Sequence, residues 1–175
     1  MPRVLAWQEP EVNVRNAFVL DWLFSLSFCL IVLLASNGRA SAQDVQGTYG
    51  NDAKAIERLL RKQQEAWNRH DLEGFMAGYW NSPQMTFFSG AKEHDGWQAA
   101  MDRYLTVYGS PGHEMGQLEF SGLRVEVLSQ DWAFVRGSWK LTMSHGKPPQ
   151  GLFTLVLRKL PEGWKIVHDH TSAAE

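Results

Sequence analysis

The sequence predicts an α+β fold in which three N-terminal helices pack on a strongly curved antiparallel sheet. Two observations predict it. Apolar residues recur at helical spacing from Ile56 to Trp67 and again from Trp97 to Tyr108. After Gly112 the pattern changes to apolar/polar alternation, the period of strands. Helices that precede a meander of strands imply a layered α+β arrangement. A strongly bent sheet wrapped on a long helix leaves a cavity at its open end.

The first 42 residues read differently from the rest. Asn16 to Ala35 is nearly all apolar, with Arg3 and Arg15 before it and the small-residue triplet Ala40-Ser41-Ala42 after it. This is the pattern of a signal peptide cut after Ala42, with an uncleaved membrane anchor as the other reading. Phe28 before Cys29 argues against a lipidated leader, which needs a small residue there. The organisation expected is a leader over 1–42, a flexible lead-in over 43–50 and one domain over 51–175. The leader carries three basic and three acidic residues, so the remainder keeps the net charge of −2. That balance gives no nucleic-acid footprint. The lone cysteine lies in the leader, so the remainder holds no disulfide and no thiol nucleophile. The expected location is the periplasm or the exterior, with membrane contact only if the leader is kept.

Asp52 can cap a helix that carries Ile56, Leu59, Leu60, Gln63 and Trp67 on one face. Glu57–Arg61 and Glu65–Arg69 are favourable i,i+4 pairs. Asp71 can cap a second helix running to about Trp80, stopped by Pro83. Met85 to Phe88 is a short β-like run and Gly90 to His94 a turn. Asp95 can cap a third helix, which Gly109 to Gly112 ends. Leu118 to Val127 is a long strand bent at Gly122. Trp132 to Met143, Leu152 to Leu160 and Trp164 to Thr171 are the others.

Three segments carry a family resemblance. They are Glu65-Ala66-Trp67-Asn68-Arg69-His70-Asp71-Leu72 with Phe75 and Tyr79-Trp80; Gly96-Trp97 with Tyr104; and Gly163-Trp164-Lys165-Ile166-Val167-His168-Asp169-His170-Thr171-Ser172. Together they resemble the nuclear transport factor 2-like superfamily, and within it the SnoaL-like and ketosteroid-isomerase-like group. The resemblance implies a cone-shaped α+β barrel with a pocket between sheet and helices, usually in a homodimer. The superfamily holds isomerases, cyclases and dehydratases, and also non-catalytic members, so the fold does not select an activity.

Strand parity groups Trp164, Ile166, His168 and His170 on one face, and Lys165, Val167, Asp169 and Thr171 on the other. His168 and His170, about 7 Å apart, form an H-x-H pair. Two ligands do not make a metal site, and nothing fixes His113 or Glu114 as a third. No metal and no cofactor is implied. Asp169, at the end of the strand, suits proton abstraction if an apolar pocket raises its pKa. His170 beside it could carry a proton, but parity separates the two unless a bulge intervenes. Tyr79 could donate to a developing oxyanion. Trp67, Trp80, Tyr104, Trp139 and Thr171 complete the candidate ligand contacts, with Gly137 leaving room beside them. Arg103, Arg136 and Arg158 are the basic candidates for holding an anionic ligand, with solvated surface the preferred reading for each. Two functions remain open. One is a domain that binds a small apolar or aromatic molecule or serves assembly. The other is an isomerase, cyclase or dehydratase. The first leads because no clear acid–base pair is visible. A carboxylate inside an apolar cavity, within hydrogen-bond reach of Tyr or His, would favour the second.

Overall fold

The computed structural model describes residues 42–109 and 112–174, almost all within the second of two units, 44–175. All of the expected leader but Ala42 lies outside the described residues. No helix among those described is long and apolar enough to cross a membrane.

Helix α1 runs over Ala42–Asn68, α2 over Leu72–Met76 and α3 over Trp97–Tyr108. The strands are β1 Thr86–Ser89, β2 Lys92–Asp95, β3 Gln117–Val127, β4 Trp132–Thr142, β5 Gln150–Leu160 and β6 Gly163–Thr171. They form one curved, unclosed sheet in the order β2-β1-β6-β5-β4-β3. Every pairing is antiparallel except β1 on β6, which is parallel.

Five local expectations change. The lead-in over 43–50 is helical, so α1 begins a decade earlier than the Asp52 cap implied. Asp52 is instead a buried tertiary acceptor: its Oδ1 takes Lys159 Nζ at 2.7 Å and Trp164 Nε1 at 3.0 Å. Helix α2 stops at Met76, because Tyr79 leaves the helix to bridge Ile166. The turn expected at 90–94 is a β-hairpin, and Asp95 ends its second strand rather than capping α3. Gly96 holds the cap position of α3 at φ 91°, a left-handed conformation that glycine adopts without strain. Asp71 does cap α2, accepting from the Gly74 N–H at 2.7 Å.

The exit of α1 explains the Trp67-to-Asp71 segment. His70 takes a left-handed φ of 62°, and Asp71 N returns to Ala66 O, closing the helix. The last turn then clips the edge strand. Asn68 exchanges two hydrogen bonds with the Leu118 backbone, Gln64 accepts from Phe120 N, and Trp67 Nε1 donates to Gly116 O. Side chains thus satisfy part of the free edge of β3. The core gathers Ile56, Leu60 and Trp67 with Phe75, Met76 and Tyr104, and, from the sheet, Val135, Leu155 and Ile166.

Candidate active site

The position of Asp169 depends on one extra residue. Val156 pairs with His168, but Leu157 pairs with Ile166, so Val167 is left over as a β-bulge. The bulge reverses the parity expected along β6. Trp164 and Ile166 face inward before it, and Asp169 faces inward after it. The neighbouring strand agrees, because Asp169 lies beside Phe87, which is also buried. His170 therefore lies on the outer face and is exposed. His168 lies there too, with its Nδ1 2.7 Å from Thr86 Oγ1 and its ring edge-on to Phe88. No Asp169–His170 dyad forms. The H-x-H pair gains no third ligand, since no cluster of three His, Cys, Asp or Glu exists among the described residues.

Asp169 is 4% exposed. Its Oδ2 accepts from the Tyr79 hydroxyl at 2.7 Å and its Oδ1 from the Thr171 hydroxyl at 2.8 Å. Tyr79 is held to β6 by its own backbone: Trp80 N donates to Ile166 O at 2.9 Å and Ile166 N to Gly78 O at 3.0 Å. Burial pushes the Asp169 carboxyl up to about 6; the hydrogen bonds from Tyr79 and Thr171, and then the charges of His170 and Arg103, pull it partly back. Burial first, and then the Asp169 charge, hold Tyr79 well above its ordinary value and raise Tyr104 as well. At neutral pH both tyrosines are neutral hydroxyls able to donate. The carboxylate keeps lone pairs beyond the two in use.

These groups line a cavity of about 410 Å³ between sheet and helices. Its walls are chiefly apolar, with Leu60, Phe75, Leu118, Phe153 and Ile166 among them. Six of the residues named from the sequence reach it: Trp67, Tyr79, Tyr104, Trp139, Asp169 and Thr171. Trp80 and His170 do not. Trp80 follows the Tyr79 bridge to Ile166 and is not part of the lining; His170 fails because of the bulge. Gly137 makes room for protein rather than ligand, since a Cβ there would run into the Phe153 ring. Trp139 donates through Nε1 to Ser172 O at 3.0 Å, which fixes the chain end at the cavity rim.

Arg103, for which solvated surface is the preferred reading of the sequence, is a cavity residue. It faces the pocket, donates to Ser89 Oγ at 2.9 Å, and lies over the rings of Phe87 and Tyr104. Helical spacing offered the signal, since Arg103 is three residues after buried Ala100 and next to buried Tyr104.

A cone of helices on a bent sheet, hollow and holding a buried carboxylate–tyrosine pair, defines the nuclear transport factor 2-like class of small pocket proteins. The SnoaL-like domain model matches residues 56–175, and the chain belongs to that family. An NTF2-like protein of unknown function from Shewanella oneidensis is 36% identical, with a TM-score of 0.63 over 68% of this chain and 97% of that one. A ketosteroid isomerase-like protein from Erwinia carotovora is 23% identical, with a TM-score of 0.59 over 71% and 97%. An NTF2-like superfamily protein from Salmonella enterica is 15% identical, with a TM-score of 0.58 over 72% and 93%. The last two are similar in fold alone. No curated protein matches the chain.

Proposed function

We propose that this protein is an enzyme of the isomerase, cyclase or dehydratase type that moves a proton on a small apolar or aromatic carbonyl compound. The observation that carries the reading is Asp169, a buried carboxylate in an apolar cavity, bonded to Tyr79. A base titrating near 6 is ionised at neutral pH yet basic enough to take a proton next to a carbonyl. As that proton leaves, charge develops on the carbonyl oxygen. A neutral tyrosine hydroxyl in a water-poor cavity is a suitable donor to it. Tyr104 fills this role: Tyr79 spends its one proton on the base, and Tyr104, hydrogen-bonded to the Tyr79 oxygen, turns its own proton to the substrate oxygen. Asp169 then returns the proton to another carbon of the same molecule, or passes it to a departing hydroxyl, which leaves as water as the C–O bond breaks and a C=C bond forms. These steps use only the protein's own side chains.

The proposal includes export, on the apolar run and the Ala40-Ser41-Ala42 triplet. It also includes a homodimer through the outer sheet face, where Trp132 and Leu152 are 39% and 63% exposed.

The test is α-proton exchange in D2O, followed by NMR, with 2-tetralone and a panel of bicyclic ketones. The wild type is expected to exchange them faster than buffer, and Asp169→Asn to fall to the buffer rate. Equal exchange by the two proteins removes Asp169 as the base.

A further inference from the structure

We propose that Arg103 is an anion-binding group, and that the cavity takes a ring-bearing molecule carrying one acidic substituent. The assignment rests on the catalytic reading above only in calling that molecule a substrate.

Among the described residues, Arg103 and Asp169 are the two charged side chains lining the cavity. Asp169 has its hydrogen-bond partners in the fold. Arg103 has no ion pair among the described residues, where salt bridges join Arg136 to Glu126 and Lys159 to Asp52. A guanidinium has five N–H donors in a planar fork, and Ser89 Oγ takes a bond from one nitrogen, Nη2. Its carbon lies 5.4 Å from the Phe87 centroid and 5.6 Å from that of Tyr104. Those ring contacts and the serine bond hold the plane in place before any ligand arrives, which lowers the ordering entropy of binding. Arg103 itself is only half-buried, and Ser89, Gly90 and Ser172 beside it are partly or fully exposed, so it stands at the rim.

The cavity therefore has a polarity. Its buried walls are lined mainly by apolar side chains, with Asp169 and Tyr79 among them, while its exposed side presents a guanidinium fork without an ion pair. A carboxylate matches that fork bidentately, and so does another planar anion. A neutral hydrocarbon would leave the cation at the rim unmatched. With the acid on Arg103, the rings of the ligand fill the space beneath, and a ring carbon is directed toward Asp169. Arg103 also separates the ligand's charge from the buried carboxylate. Without that cation, two negative charges would share one apolar cavity, and each would weaken the other's ionised form.

The experiment is calorimetric titration of the full-length chain at pH 7.5 with 2-naphthoate and with its neutral isostere 2-naphthamide. Wild type, Arg103→Gln, Arg103→Lys and Asp169→Asn are compared. The wild type is expected to prefer the acid by about tenfold to a hundredfold, the range of a charge-assisted hydrogen bond. In Arg103→Gln the ratio falls to near one, while the amide binds as in wild type, which shows that the cavity is intact. Arg103→Lys keeps the charge without the fork and retains part of the preference. Asp169→Asn keeps the preference and binds naphthoate more tightly, having lost a like charge. Equal affinities in the wild type, an unchanged preference in Arg103→Gln, or no binding of either probe overturns the proposal. An acid preference without α-proton exchange defeats the catalytic reading and leaves the anion site standing. Exchange that depends on Asp169, without acid preference, defeats only the anion site.

Discussion

Replacing Asp169 with asparagine should stabilise the protein while removing its proposed base. The carboxyl has a pKa of 3.8 when free in the chain and about 6 in the fold, the rise being due first to burial. The folded state therefore holds the proton more tightly than the unfolded state, and stability declines as pH rises from 3.8 toward 6. Below that window both states are protonated and nothing is lost. Above it the full penalty applies. At about 1.4 kcal/mol per pH unit it amounts to roughly 3 kcal/mol. Asparagine has nearly the same shape, and its amide can still accept from Tyr79 and donate to the Thr171 oxygen, so both contacts survive without the charge. A gain of that size raises the melting temperature by on the order of 10 °C for a domain of this length. The assay is urea and thermal unfolding of both proteins, followed by circular dichroism, from pH 4 to pH 8. The variant should lead by the full amount at pH 7.5, and the lead should shrink toward zero near pH 4. A variant less stable than wild type at pH 7.5, or a lead that does not change with pH, refutes the buried-carboxylate argument. An active-site group that weakens the fold is the familiar exchange between stability and activity.

The exchange rate in kcat/KM should rise about tenfold per pH unit below about 6 and level off above it, because only the ionised Asp169 accepts a proton; a pH-rate profile checks this. Asp52→Ala leaves the buried Trp164 indole N–H without its acceptor and should destabilise the fold by about 2 kcal/mol in urea titrations. Burial alone would raise the Asp52 pKa, but the Lys159 and Trp164 hydrogen bonds and the Lys159 charge hold it below 3.8. The contribution of Asp52 is thus complete above that value and is lost as pH falls through the lower folded pKa. Gly137→Ala forces a Cβ against Phe153 and Leu123 and should lose roughly 1–3 kcal/mol by overpacking, read by the same titrations. Light scattering should report a dimer for the wild type and a monomer for Trp132→Glu/Leu152→Glu, whose charges fall on the exposed outer face.

Most of the fold was legible because local pattern and tertiary demand agreed. The apolar stripe Ile56, Leu60, Trp67 is the buried stripe of α1, and the alternation along β4 places Ala133 and Val135 in the core. Gly122 marks the bend in β3 where the register shifts between Ser121 and Arg124. The misses fall where a side chain had two uses. Asp52 and Asp95 both carry the short acceptor of a helix cap. One serves Lys159 and Trp164 across the fold, and the other closes a hairpin. Gly47 and Gly50 weaken a helix by about 1 kcal/mol each, and α1 runs through them regardless.

The site was half legible for a single reason. Tyr79, Tyr104 and Asp169 all line the cavity, but strand parity gave Asp169 the company of Lys165 and Val167, facing away from Ile166. A bulge has no sequence signature of its own when the inserted residue is a valine, the best of strand formers, so period-two reasoning runs straight through Val167. What selects the bulge is a conflict of burial. With unbroken parity, Ile166 inside would bring His168 and His170 inside with it, two imidazoles in a cavity that offers them no acid partner, and would leave Phe87 facing them rather than Asp169. With one residue of slack, both histidines reach the outer face and a single carboxylate enters, where Tyr79 and Thr171 are placed to meet it. The register of the final strand, as much as the identity of residue 169, therefore decides whether this pocket holds a buried carboxylate.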